Sequence, residues 1–163
     1  MSHIQTTAMM ATVWLFATAY PAIAAGPAKQ GSYDGMTCYV GTHHVIAGTK
    51  GTAGGSYEVI LTGVAKEGDP FYNTAGRCVG SYVVIGEELN EYGFCTYSDI
   101  DGDAYFGTYD RHNKAPGNWK VTGGTGKYDQ MQMTGTFVFS VQPPQPLNML
   151  QGCSKVTGIW KLK

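Results

Sequence analysis

The chain has 163 residues, with 11 Lys and Arg against 12 Asp and Glu, only 14% charged residues, 23 Gly and 11 Tyr. A balance this close to neutral argues against nucleic acid as a main partner, and an apolar fraction of 43% is too high for a disordered segment. What remains is one domain of ordinary size, rich in turn formers and in residues that suit a half-buried pleated surface.

The first element is a leader. Ala8 to Tyr20 is apolar apart from Thr12 and Thr18, which is the length of a signal-peptide core and short for a bilayer span. Pro21 ends the run, and Ala22-Ile23-Ala24 supplies the small-x-small pattern read by a signal peptidase. Cleavage is expected after Ala24 or Ala25, so residues 1–25 read as a signal peptide and 26–163 as a single domain. The alternative is a short anchor that is never cut, because the first seven residues carry His3 but no Lys or Arg. No later stretch approaches the ~18 apolar residues of a membrane helix, so no span is expected after cleavage. The expected location is exported, either periplasmic or secreted.

Beyond the leader the pattern is strand and turn throughout. The expected strands are Tyr33–Val40, Tyr57–Val64, Val79–Ile85, Phe94–Ser98, Ala104–Tyr109, Trp119–Thr122, Thr134–Gln142 and Thr157–Leu162. Asp101-Gly102 suits a tight hairpin between the fourth and fifth, and Pro116-Gly117 a turn before the sixth. With no helices between them the strands must pair antiparallel. The fold class is therefore all-β, an antiparallel barrel of about eight strands, with a β-sandwich as the alternative. Period-two alternation sets Phe137, Phe139 and Val141 on one face, and Tyr57, Val59 and Leu61 on another, as the apolar lining of the interior. Glu58 falls between the latter residues.

Cys38, Cys78, Cys95 and Cys153 form an even set in a chain expected outside the cytoplasm, which favours two disulfides; three pairings are possible. Their wide spacing excludes a CxxC redox motif, a zinc ribbon and a CxxCH haem attachment. Between Arg77 and Arg111 lie Glu87, Glu88, Glu91, Asp99, Asp101, Asp103 and Asp110 with no Lys or Arg. They read either as outer-face partners of basic residues on neighbouring strands or as an acidic pole.

Several phrases recur together in one known group: Cys78-Val79-Gly80, Gly93-Phe94-Cys95 running into Asp99-Ile100-Asp101-Gly102-Asp103, Gly123 to Tyr128 (GGTGKY), Thr134-Gly135-Thr136, and Cys153 leading to Gly158-Ile159-Trp160-Lys161-Leu162. Over about residues 55–163 this order resembles small exported bacterial proteins with an allene oxide cyclase-like barrel. The resemblance implies an eight-stranded barrel with an apolar interior and, in the plant enzymes of that fold, cofactor-free ring closure of a reactive fatty-acid epoxide. It carries over no functional residue.

The residues themselves offer few sites. Asp99, Asp101 and Asp103 place three carboxylates on a short loop, a calcium-type donor set, although an Asp-Gly hairpin explains the same letters. Glu58 turned inward would be a proton handler with a raised pKa. His43 and His44 must face opposite ways in a strand, and His44 is taken as a second candidate acid or base. Met131 and Met133 suit copper(I) chemically but fit core packing better. GGTGKY lacks the spacing and the helix of a phosphate loop. No cofactor is expected. Three functions stay open: a binder of a small apolar molecule through Tyr57, Val59, Leu61, Phe137 and Phe139; a cofactor-free cyclase or isomerase; or a structural or interaction protein with a packed barrel. Oligomeric state is left open.

Overall fold

The computed structural model describes residues 29–146 and 148–162, apart from the side chain of Val141; the expected leader, residues 1–25, lies outside the described residues. Each expected strand core is present and most are extended: β1 (Gln30–Ala47), β2 (Thr52–Val64), β3 (Ala75–Ile85), β4 (Glu88–Ser98), β5 (Ala104–His112), β6 (Gly117–Gly124), β7 (Gln132–Val141) and β8 (Met149–Lys161). They pair antiparallel in sequence order and β8 returns to β1, closing the barrel. The sandwich alternative is thereby set aside. Among the described residues one 3-10 turn, Gly126–Tyr128 inside the GGTGKY loop, interrupts the pattern.

The extensions cross glycines that read locally as turns. Gly55 of β2 is an example: a Cβ there would strike the Tyr82 phenol and the His44 carbonyl, so glycine marks a close approach rather than a chain reversal. The Asp101-Gly102 turn forms where expected, with Gly102 at φ +88°.

In an up-and-down barrel alternate connections share one end. The β2–β3 loop, the Asp99–Asp103 turn and the β6–β7 loop therefore lie together, and that end is closed. Its core is Tyr33, Phe71, Tyr105, Val121, Tyr128, Met131, Met133 and Trp160. Phe71, from the β2–β3 loop, is 2% exposed. Its ring lies edge-on to Tyr33, Tyr105 and Trp160 at 5.3, 5.4 and 6.0 Å and stacks on Tyr128 at 6.1 Å. Met131 and Met133 are buried in this packing, as the core reading expects.

Two disulfides form, and they differ in kind. Cys38–Cys153 joins residues directly opposed on β1 and β8, at the seam where the barrel closes. Cys78–Cys95 joins opposed residues on β3 and β4, and both of its cysteines line the interior. Among the described residues no helix is long and apolar enough to cross a membrane.

The acidic stretch does not make one pole. Glu87 lies in the β3–β4 turn with Glu88 beside it, at the end opposite the Asp99–Asp103 turn, while Glu91 points inward. Outside, Glu58 pairs with Arg77, and Asp34 lies 3.7 Å from Lys155. Such exposed pairs add little to stability.

Candidate functional site: the barrel interior

A cavity of about 340 Å³ runs up the barrel from the Phe71 plug. Alternation on β2 puts Tyr57, Val59 and Leu61 on its wall, and alternation on β7 does the same for Phe137 and Phe139. Most of the wall is aromatic or aliphatic. Its carboxylate and guanidinium sit in one cluster built from three strands, while Thr37, His43 and Gln142 add polar groups elsewhere on the wall.

Glu91 and Arg111 face each other across β4 and β5. Arg111 donates its Nε–H to Glu91 Oε2 at 2.7 Å, and Glu91 is only 6% exposed. The guanidinium also lies 4.5 Å from the centre of the Phe139 ring, a cation–π contact that keeps it against the wall. Tyr57 of β2 donates its hydroxyl proton to Glu91 Oε1 and also meets the hydroxyl of Tyr109 from β5. The two phenols reach each other because Gly80 and Gly93, opposed on β3 and β4, leave the wall bare beneath them. A Cβ on Gly80 would strike both rings, and one on Gly93 would strike Tyr109. One step down the same strands lies the Cys78–Cys95 disulfide, so the covalent staple sits under the phenol pair.

Burial raises the phenol pKa throughout this interior. Tyr57 is pushed well above the ordinary value, first by desolvation and then by Tyr109 and Glu91; Tyr109 follows, also chiefly through burial. At the closed end Tyr33 is pushed up to about 12 by burial and by Asp69, and burial likewise raises Tyr97, Tyr105 and Tyr128. A raised phenol pKa means that the native state holds the proton more tightly than the unfolded chain does. The corresponding stability is complete below the unfolded phenol value of ~10 and is lost as pH rises through the folded values. The expected result of an alkaline titration followed by phenolate absorbance is a silent interior up to about pH 10. Above that, a steep rise should coincide with loss of β-sheet circular dichroism. Full ionisation of all tyrosines near the free-phenol value, with the fold intact, would contradict the burial described here.

Other candidate residues from the sequence lie elsewhere. Glu58 is on the outer face, its side chain 46% exposed and paired with Arg77, so the desolvation that would make it a proton handler is absent. The register that turns Tyr57 and Val59 inward turns Glu58 outward. Of the adjacent histidines, His43 lines the cavity and His44 is exposed, which reverses the candidate of the pair. Asp99, Asp101 and Asp103 do not converge on an open site. Asp99 Oδ1 accepts the N–H groups of Asp101 and Asp103 at 2.9 and 3.0 Å, and Asp103 Oδ2 accepts that of Lys127 at 3.0 Å. The Lys127 ammonium lies 2.6 Å from Asp99 and 3.2 Å from Asp101. Burial works to raise the Asp99 pKa, but Lys127, Tyr128 and the turn amide outweigh it and hold the carboxyl below its usual range. The carboxylates are thus engaged by turn amides and by the Lys127 ammonium, the arrangement of the Asp-Gly hairpin that the sequence offers beside the calcium-type donor set. Among the described residues no three His, Cys, Asp or Glu side chains are grouped to hold a metal.

Nothing in local sequence pattern marks Glu91, Arg111 or Tyr109 as a site. Glu91 reads as one of the acidic run, and a strand beginning at Phe94 stops short of it. The available signal was two-residue stepping back from Cys95: Cys95, Gly93, Glu91 and Leu89 share one face.

No protein-family model matches the chain, and no curated protein matches it in sequence. Two solved structures are similar in fold. One is the pterocarpan synthase dirigent protein PsPTS1, at 14% identity and a TM-score of 0.47, covering 82% of this chain and 96% of that one. The other is the pterocarpan synthase dirigent protein GePTS1, at 12% identity and a TM-score of 0.46, covering 83% and 88%.

Proposed function

We propose that this is an exported barrel protein that holds one small, largely apolar molecule in its interior. The observation that carries the reading is the cavity of about 340 Å³, apolar over most of its wall and marked by one ion-paired, phenol-lined spot. This is the composition of a ligand site: bulk apolar contact for affinity and a few placed polar groups for orientation. A barrel whose role is purely structural has no need of that space, and leaving it empty forfeits packing. Two disulfides fit an oxidising compartment and so support export through the expected leader.

A second reading is favoured by the same cluster. A cofactor-free cyclase or isomerase, the activity implied by the resemblance to allene oxide cyclase-like barrels, needs a shaped apolar wall to fold a flexible substrate and one place to hold or move a proton. Tyr57, Tyr109 and Glu91 supply that place. Their raised phenol pKa values make the tyrosines donors or acceptors of hydrogen bonds at neutral pH, not phenolate bases.

Fluorescence titration with a neutral apolar dye such as Nile red tests binding. The parent protein is expected to bind it. Phe139→Ala, which widens the wall beside Arg111, is expected to change the affinity at least about threefold. It should cost only about 1–2 kcal/mol of stability, because Phe139 borders a space and is not packed on all sides. No binding by the parent, together with a loss of about 3–5 kcal/mol in Phe139→Ala, would mean a solid interior and a structural role.

A further inference from the structure

The protons of the polar cluster can be assigned one by one. Tyr57 has a single hydroxyl proton, and it goes to Glu91 Oε1. With that proton committed, Tyr109 must be the donor in the contact between the two hydroxyls. Arg111 donates Nε–H to the other carboxylate oxygen. Both phenol protons therefore run toward Glu91, which leaves the Tyr109 oxygen, on the cavity wall, able to accept a hydrogen bond but with no proton to offer. Burial raises the pKa of both tyrosines, which keeps these protons in place through the neutral range. Charge gives a second constraint. Glu91 and Arg111 already neutralise each other on the wall, so an incoming anion would have to share a guanidinium that Glu91 holds. Removing a second charge from water without a counter-charge of its own is costly.

We propose that the polar end of the occupant is an uncharged hydroxyl that donates to Tyr109 at the head of a chain running hydroxyl to Tyr109 to Tyr57 to Glu91. This deepens the ligand-binding reading above and rests on it. The barrel then selects alcohols of apolar molecules over the matching carboxylates, and over carbonyl analogues, which have no proton to give Tyr109 and find donors only in the Arg111 Nη groups laid over Phe139. Tyr109 is the residue that reads the hydroxyl. Tyr57 and Glu91 fix the direction of the chain, and Gly80 and Gly93 make room for it.

Retinol, retinal and retinoic acid share one polyene body and differ only at the end group, so they separate donor, acceptor and anion. Titrated against the full chain with its disulfides intact, retinol is expected to bind about tenfold more tightly than either of the others. In Tyr109→Phe retinol should weaken to the level of retinal, while retinal itself is unchanged. In Glu91→Gln the direction of the chain is no longer fixed, and retinoate should gain on retinol. Should Glu91→Gln fail to fold, Tyr109→Phe, which removes one oxygen from the wall, decides alone. Equal or tighter binding of retinal or retinoate by the parent, or an undiminished retinol preference in Tyr109→Phe, would overturn the proposal and leave ligand binding standing. Failure of all three retinoids and of Nile red to bind would remove the ligand-binding reading itself, and the proposal with it.

Discussion

Replacing Cys38 and Cys153 by alanine is expected to cost about 5 kcal/mol of stability, and replacing Cys78 and Cys95 about 3 kcal/mol. The difference follows from what each bridge closes. Cys38 and Cys153 are separated by 115 residues, whereas Cys78 and Cys95 are separated by 17. A longer closed loop removes more conformational freedom from the unfolded chain. The inner bridge replaces contacts that the β3–β4 hairpin already enforces locally, but the outer one ties chain ends that have nothing else to keep them near each other once unfolded. Against a typical total of roughly 5–15 kcal/mol for a domain, loss of the seam bridge leaves little margin at physiological temperature. Urea denaturation of the two paired variants under non-reducing conditions reads both numbers. Equal losses, or a larger loss for the inner pair, would show that native-state packing around Cys78 and Cys95 outweighs chain entropy.

Phe71→Ala is expected to cost about 3–5 kcal/mol, well above the loss expected for Phe139→Ala. Both are phenylalanines on the interior, so chemistry alone does not separate them. Surroundings do. Phe71 forms the cavity floor, 2% exposed and held by Tyr33, Tyr105, Tyr128 and Trp160, while Phe139 is half-buried on the cavity wall. The loop that presents Phe71 is itself held in place. Asp69 accepts the Phe71 N–H at 2.8 Å, Thr74 Oγ1 donates to the Phe71 carbonyl at 3.2 Å, and the Tyr128 hydroxyl donates to the carbonyl of Pro70. With its backbone fixed in this way the loop cannot collapse into the gap left by the ring. The deletion should also open the closed end to water and weaken Nile red binding, which Phe139→Ala alters without wetting the floor. A loss of less than ~1 kcal/mol would show that Phe71 is no plug.

Alternation and turn chemistry made the barrel legible. TGTFVFSVQ and YEVILTGV each show which residues face inward, and Asp101-Gly102 marks its own turn. Strand length was not legible, because residues such as Gly41, Gly55 and Gly93 are turn formers by local preference, and only the neighbouring strands show that they continue a ladder. The polar cluster was hidden for the same reason. Glu91 looks like any surface acid until Cys95 is known to face inward, and the inward face of Cys95 depends on its pairing with Cys78, which the spacing of four cysteines does not decide. Glu58 shows the reverse case. A lone acid inside a strongly β-forming run is a proton handler only if it turns inward, and the same alternation that makes the run convincing places it outside, against Arg77.

The seam between β1 and β8 also sets the order in which the chain can finish folding. Strands β2 to β7 each find a partner in the strand just made, but the outer edge of β1 stays unpaired until β8, the last strand, is available. Contacts this distant in sequence form slowly, and an open strand edge is a template for pairing with other chains while it waits. A chain emerging N-terminus first thus carries its greatest aggregation risk in the interval before residues 149–161 appear. Formation of Cys38–Cys153 marks the end of that interval, since its two sulfurs meet only when the ring of strands is complete.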